Sequence, residues 1–185
     1  MVIPSLIGKY QERVAVTRVR KVYAILQQAV KLSIADNGEP IVWDIPKEVK
    51  PANARKAASY LTPYLRLAKD CGVESGCIKY RSPLKYLNGN DYNSNYDTNK
   101  SYYKIILADS SYVIISANKY RVMQILTDTN GAYPPNTVGK DIFEFYITDE
   151  ELRAAGSGSS ACNKTDSGWG CASYVLQFGN MNYLK

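Results

Sequence analysis

The chain has 185 residues, of which 45% are hydrophobic and 22% charged, and these are the proportions of an ordinary globular protein. They argue against intrinsic disorder, collagen-like repeats and coiled-coil composition. The net charge of +6 is too small to indicate nucleic acid as a partner, and the lack of histidine argues against Ser-His-Asp or Cys-His catalysis and against His-ligated metals.

The N-terminal segment predicts one long amphipathic helix. Apolar side chains recur at helical spacing while basic side chains mostly fill the other faces, and Asn37 and Gly38 should end the helix after about 45 Å. A helix of that length exceeds what one small core can cover, so part of it should project or pack against a partner. The apolar face, expected to serve both core packing and assembly, comprises Leu6, Tyr10, Val14, Val19, Val22, Leu26 and Val30.

The middle of the chain predicts a second helix and a long loop. Pro51 suits the first turn of a helix that extends toward Leu67, and Pro63 should break or kink that helix. Residues 88–101 are rich in Asn, Asp, Ser and Tyr without apolar periodicity, so we expect an exposed loop. Its tyrosines and asparagines are suited to contacting a glycan or a secreted partner, whereas a plain surface loop is the simpler interpretation.

Four β-branched and aromatic runs predict an antiparallel sheet. They are residues 102–107, 112–117, 122–127 and 142–147. Residues 149–155 are expected to form one helical turn, and residues 171–178 a short helix or strand. Because helices precede strands and the connections are short, we expect an α+β fold, with the long helix packed on an antiparallel sheet of about four strands.

We expect a single domain over residues 1–185 with three regions. Residues 1–35 would form a helical stalk, residues 36–101 a helical and looped region, and residues 102–185 the sheet with a disulfide-stapled C-terminal region. The inner face of the sheet is the obvious surface for the apolar stripe of the helix to bury against.

The four cysteines fall into two local pairs. Cys71 and Cys77 bracket a short loop, and Cys162 and Cys171 lie in a Gly/Ser-rich stretch. Neither spacing is C-x-x-C, which argues against a zinc ribbon or a thioredoxin-type site. We expect two local disulfides and therefore an oxidising location, the periplasm or the cell exterior. Free buried thiols in a cytosolic protein are the alternative.

An oxygen-rich loop is the candidate metal site. It contains Asp128, Asn130, Asn136 and Asp141 and begins with Asp-x-Asn-Gly. Hard oxygen ligands at short spacing can hold calcium, and Gly131 would allow the tight turn. The loop lacks the further carboxylates of an EF-hand pattern, and Asp-x-Asn-Gly is also a common turn sequence, so a plain hairpin turn is the competing interpretation. No other cofactor is expected.

Several runs resemble bacterial type IV pilin-like proteins, including the pseudopilins of type II secretion systems. They are VIPSLIGKYQ at residues 2–11, RVRKVYAILQQA at residues 18–29, and the segments 63–71, 128–131, 135–143 and 168–171. The resemblance implies a pilin-like fold preceded by a leader, with cleavage and N-methylation, and by an apolar membrane half-helix. Neither the leader nor a run of about eighteen apolar residues is in this chain.

The resemblance implies a non-enzymatic structural subunit of a type IV pilus or a type II secretion pseudopilus. Such a subunit would assemble by helix packing with copies of itself and related subunits. It would face the periplasm from the inner membrane, or lie in an extracellular filament. The alternative is a secreted or surface binding module, an adhesin or glycan-binding domain, on a pilin-like scaffold. Nucleic acid is not expected as a partner, because no aromatic stacking platform accompanies the basic side chains.

Overall fold

A 35-residue helix opens the fold. In the computed structural model, which describes residues 3–156 and 162–185, helix α1 spans Ile3–Asn37. Gly38 follows with a φ of +79°, the left-handed conformation that ends helices and that glycine adopts without steric cost. The helix therefore ends where the sequence predicts. Neither α1 nor any other helix in the described ranges is apolar enough over a sufficient length to cross a bilayer.

The second helix is short and is stopped by proline. Helix α2 spans Pro51–Ser59, and a 3-10 turn over Thr62–Tyr64 follows it. Pro63 cannot donate a backbone hydrogen bond, so helical structure does not extend to Leu67. The chain instead enters the first strand there.

Within residues 3–156 and 162–185, six strands form one antiparallel sheet in which every strand pairs with its neighbour in sequence. They are β1 (Leu67–Gly72), β2 (Tyr103–Leu107), β3 (Tyr112–Ala117), β4 (Met123–Asp128), β5 (Ile142–Ile147) and β6 (Leu152–Ala154). Helix α3 (Cys171–Phe178) closes the fold. The α+β class and the antiparallel sheet are confirmed.

The expected strand count of about four is too low, because two edge strands escape sequence reasoning. The central strands β2 to β5 match the four predicted runs. Strand β1 is polar and largely exposed, so it shows no apolar alternation. Strand β6 lies where we expected a helical turn. It has only three residues, with Leu152 and Ala154 buried on either side of an exposed Arg153, which is too short for a period of two to be recognised.

One face of the sheet packs on the helices. Alternate residues of β2 to β5 point to this face, among them Ile105, Val113, Ile125 and Phe145, all fully buried. They form one apolar cluster with the stripe of α1 and with α2 and α3. The ring of Tyr23 on α1 lies 5.6 Å from that of Phe145.

The opposite face is covered by the tyrosine-rich loop rather than by a helix. Tyr96, which is 3% exposed, packs with Ile114 and Leu126 of the sheet. Its ring lies 5.9 Å from that of Tyr92 and 5.3 Å from that of Tyr102. The expectation of an exposed loop over residues 88–101 is therefore wrong for its tyrosines. The asparagines and serines form the turns, and the rings point inward because they carry the apolar area.

Replacing Leu26 with alanine should lower the free energy of unfolding by about 2–5 kcal/mol, because its fully buried side chain leaves a cavity between helix and sheet. Leu6→Ala is the matched control on the same helix. At a position that is 65% exposed, it should change that free energy by less than about 0.5 kcal/mol. Urea denaturation measures both values. Equal destabilisation would contradict the packing of α1 on the sheet.

Candidate functional site

The predicted apolar face of α1 divides into a buried part and an exposed part. Its last four members are at most 2% exposed: Val19, Val22, Leu26 and Val30. Val14 is half-buried, and no described side chain before Val16 is buried. Leu6, Ile7 and Tyr10 are 65%, 50% and 68% exposed. These three residues are termed the N-terminal patch.

Four exposed cations lie along the first half of α1. They are Lys9, Arg13, Arg18 and Arg20. Within the described ranges none of the four takes part in an ion pair. Lys9 and Arg13 lie within or next to the N-terminal patch in sequence, so the projecting part of the helix combines exposed apolar area with positive charge.

A groove with a volume of about 730 Å³ lies beside this half of the helix. Its other walls are the loop after β4 and the C-terminal tail. The carboxylate of Glu12 accepts a hydrogen bond from the Met181 N–H at 2.8 Å, which ties the tail to α1. The hydroxyl of Tyr183 donates to the Gly139 carbonyl at 2.6 Å, which ties the tail to the loop, and burial raises the pKa of this tyrosine. Sequence reasoning missed this docking because the polar tail has no periodic pattern.

The four residues of the predicted oxygen-rich loop meet at one end of the sheet. Asp128 ends β4 and pairs with Ile142 at the start of β5, so the connecting loop closes on itself. Asp128, Asn136 and Asp141 are at most 3% exposed, and Asn130 is half-buried. Asp128, Asn130, Asn136 and Asp141 are termed the oxygen pocket.

Three side-chain oxygens of the oxygen pocket are buried without a hydrogen-bond partner among the described residues. They are Asp128 Oδ2, Asn130 Oδ1 and Asn136 Oδ1. An unpartnered buried acceptor costs about 1–3 kcal/mol. Unexplained groups of this kind are rare in folded proteins, and three in one loop indicate a site for a positively charged or hydrogen-bonding ligand.

Neighbouring contacts fix the orientation of these side chains. Asn136 Nδ2 donates to the carbonyl and the hydroxyl of Ser82 at 3.1 and 2.9 Å, and Asn130 Nδ2 donates to the Pro134 carbonyl at 3.1 Å. The amide oxygens are thereby held away from those partners. The carboxylate of Asp141 accepts the backbone N–H groups of residues 136 and 137 at 2.8 and 2.6 Å.

Burial disfavours the ionisation of both carboxyl groups in the oxygen pocket. Burial, followed by repulsion from Asp141, raises the pKa of Asp128 well above its usual range. Burial raises the pKa of Asp141 to about 6, although the backbone N–H groups that it accepts act in the opposite direction. Two adjacent buried carboxyls resist carrying negative charge together unless a cation joins them.

The donor set fits a hard cation only if the amide oxygens take part. Among the described residues, no group of three or more His, Cys, Asp or Glu side chains is placed to hold a metal ion. The oxygen pocket offers two carboxylates and two amide oxygens, and calcium accepts both ligand types.

The two local disulfides predicted from the sequence are present, Cys71–Cys77 and Cys162–Cys171. The first closes the loop after β1. The second joins the segment before α3 to the fully buried first residue of that helix. Both pairs link residues that are near in sequence, which is why spacing alone indicated them.

A polar cluster that sequence reasoning missed supports the first disulfide. The carboxylate of Asp97 accepts the backbone N–H groups of residues 76–78 at 2.6–2.7 Å. Burial alone would raise the pKa of Asp97, but these hydrogen bonds hold it below its ordinary value. The fully buried Lys104 donates to the carbonyls of Val73 and Asp97 at 3.0 and 2.9 Å. No sequence signal marks this cluster, because its members come from distant segments.

These elements define an α+β protein with a projecting N-terminal helix, a six-stranded antiparallel sheet and two disulfides. The chain belongs to DUF6613, a family of unknown function that matches residues 5–159. No curated protein and no solved structure matches the chain significantly. The matched segment includes the N-terminal patch, the six strands and the oxygen pocket.

Raising the pH from about 5 to about 7.5 in a chelator should lower the free energy of unfolding. The raised pKa values of Asp128 and Asp141 mean that the folded protein holds more protons here than the unfolded chain, whose aspartates titrate near pH 4. The two protonated carboxyl groups therefore contribute their full stabilisation of the fold below about pH 4. This contribution is lost as the pH rises through the pKa values that Asp128 and Asp141 have in the folded protein. Urea denaturation across this range measures the loss.

The variant Asp128→Asn should remove the part of this pH dependence that Asp128 contributes, because an amide side chain does not titrate. Asp44→Asn, at a side chain that is 93% exposed, is the matched control and should keep the wild-type slope. A slope in Asp128→Asn equal to that of the wild type would rule out Asp128 as a source of the pH dependence.

Proposed function

We propose that the protein is a non-catalytic structural subunit of a filament of the type IV pilus or type II secretion pseudopilus class. The observation that carries the proposal is the N-terminal patch, at 50–68% exposure on a helix whose other half lies in the core. Contiguous exposed apolar surface marks interaction sites in soluble domains. Every copy carries the same patch on the same projecting helix, so a contact between this patch and a different surface of the next copy can repeat from subunit to subunit.

Two further features support the proposal. The helix continues without a break from the patch into the core, so a contact made by the patch is joined directly to the sheet. The two disulfides fit a protein that faces the periplasm or the cell exterior. An apolar segment preceding α1 would anchor the subunit in the inner membrane and pack with those of neighbouring subunits. The partners would be copies of this chain and related pilin-like subunits.

The alternative, a glycan- or protein-binding module, gains no support from the tyrosine-rich loop. Its rings pack on the sheet and on one another, with Tyr92 5.5 Å from Trp169 and Tyr96 almost fully buried. A stacking platform for a sugar needs an accessible ring face, which this arrangement largely removes.

The double variant Leu6→Asp/Tyr10→Asp should abolish self-association, because charges replace the apolar area that the contact would bury. Both positions are exposed, so the midpoint of thermal unfolding should stay within about 2 °C of the wild type. Analytical ultracentrifugation over a concentration series, with electron microscopy for filaments, measures the effect. Tyr120→Asp, at a residue that is 80% exposed on the β3–β4 turn, is the control and should associate like the wild type. A wild-type protein that stays monomeric, or a double variant that still assembles, would refute the subunit assignment.

We also propose that the oxygen pocket binds a divalent cation, for which calcium is best suited. The specific observation is that one carboxylate oxygen of Asp128 and the amide oxygens of Asn130 and Asn136 are buried without partners among the described residues, close to the second carboxyl group, that of Asp141. Calcium takes about 6–8 oxygen ligands in flexible geometry, so the four side chains would supply part of its shell and water the rest. A plain hairpin turn, the competing interpretation, would leave these oxygens unsatisfied.

Calcium should raise the free energy of unfolding at pH 7.5, by about 2.7 kcal/mol at a free concentration one hundred times the dissociation constant. Titration calorimetry and urea denaturation, with calcium and with chelator, measure binding and stabilisation. Asp128→Asn should weaken binding by about tenfold or more, because affinity follows the number of charged ligands, whereas Asp44→Asn should bind like the wild type. An unchanged stability in calcium would leave the hairpin turn as the better interpretation.

A further inference from the structure

A second exposed apolar surface lies at the other end of α1. Ile41 and Val42 are 67% and 65% exposed in a 3-10 turn, Pro40–Val42, that follows the helix. The next residue, Trp43, holds the turn in place. Its ring stacks on Tyr60 at 4.6 Å, and its indole N–H donates to the Gly38 carbonyl at 2.8 Å. Ile41 and Val42 are termed the distal patch.

Acidic side chains surround the distal patch. Glu39 lies in the same turn region, and a hydrogen bond from the Ile41 N–H to the Asp149 carbonyl, at 3.0 Å, places Asp149 and Glu150 next to it. All three acidic residues are exposed. In the part of the chain that the structure describes, none of the three forms an ion pair, whereas Glu151 pairs with Arg153 at 2.9 Å.

The two ends of the molecule are therefore complementary. Each presents exposed aliphatic side chains, with Lys9 and Arg13 beside the N-terminal patch and acidic residues beside the distal patch. Opposite charges at the edge of an apolar contact select the partner and speed association. The patches are separated by nearly the full length of α1, about 45 Å, so one copy cannot join its own two ends.

We propose that the N-terminal patch of one copy docks on the distal patch of a second copy, with Lys9 and Arg13 facing Glu39, Asp149 and Glu150. This contact rests on the proposed filament function and specifies how neighbouring subunits meet. It uses different surfaces on the two copies, so the joined pair still has one free N-terminal patch and one free distal patch. A contact between two different surfaces is called heterologous. It produces an open chain of subunits when the rotation that relates neighbouring copies does not close a ring.

Two charge-reversed variants test the contact. The helix variant is Lys9→Glu/Arg13→Glu, and the turn variant is Asp149→Lys/Glu150→Lys. Each alone brings like charges together and should weaken self-association by about tenfold or more, measured by analytical ultracentrifugation. In an equimolar mixture every contact between unlike variants again joins opposite charges, so association should return. A combined variant carrying all four changes should also associate on its own.

Two measurements separate this contact from general charge effects. The variant Lys69→Glu/Lys79→Glu makes the same change in net charge as the helix variant, at exposed lysines elsewhere, and should associate like the wild type. Raising the salt from about 0.05 to about 0.5 M should weaken wild-type association, because exposed charges are screened. Thermal unfolding of each variant checks that the fold is kept.

The outcomes distinguish the docking from the filament proposal. If the helix and turn variants associate like the wild type, or if their mixture does not recover, the docking is wrong. The filament proposal then stands as long as Leu6→Asp/Tyr10→Asp still abolishes association. If the wild-type chain does not associate at all, both proposals fail.

Discussion

The apolar contact between the second half of α1 and one face of the sheet is the interaction on which the rest of the molecule depends. Burial of side chains such as Val19, Val22 and Leu26 contributes about 1.5–3 kcal/mol each, and the same cluster joins α2 and α3 to the sheet. The extent of this contact also determines which part of α1 stays exposed to solvent. It begins at Val16, so the first turns of the helix project as a direct result of a helix longer than the layer beneath it. The surface that we assign to assembly is thus created by the geometry of the core.

The second face of the sheet is covered by an irregular loop instead of helices. Tyrosine rings from an irregular loop supply apolar area there, while Lys104 and Asp97 satisfy the backbone groups that a loop leaves unpaired. The Cys71–Cys77 disulfide closes the neighbouring loop, which shortens the free chain that these contacts must order. A helix on this face would satisfy its own backbone, whereas the loop relies on buried polar side chains.

The oxygen pocket lies at the same end of the sheet as the projecting half of α1. Asn130 and Asp141 line the groove together with Tyr10 and Val14. The charge of Arg18 on the helix also acts, as the last of several influences, to lower the pKa of Asp128. A cation in the oxygen pocket would therefore sit beside the surface through which subunits are proposed to meet. Cation binding and subunit assembly are therefore proposed for neighbouring surfaces, but they depend on different residues, those of the oxygen pocket and those of the N-terminal patch.

The sequence by itself determined the features that depend on local pattern. Periodicity placed α1 and the four central strands, Pro51 and Pro63 bounded the second helix, and short spacing paired the cysteines, because neighbours in sequence fix each of these. The four oxygen-rich residues were likewise found together. Only the tertiary structure decided which of seven equivalent apolar residues on α1 are buried, because periodicity sets the direction of a side chain and not whether another layer reaches it. It also decided the edge strands, the inward tyrosines, the docked tail and the unsatisfied oxygens. Strand β1, the inward tyrosines and the docked tail arise from contacts between segments that are far apart in the chain, for which the local pattern carries no signal. Strand β6 is too short to show a pattern, and the sequence does not show which oxygens of a turn find a donor.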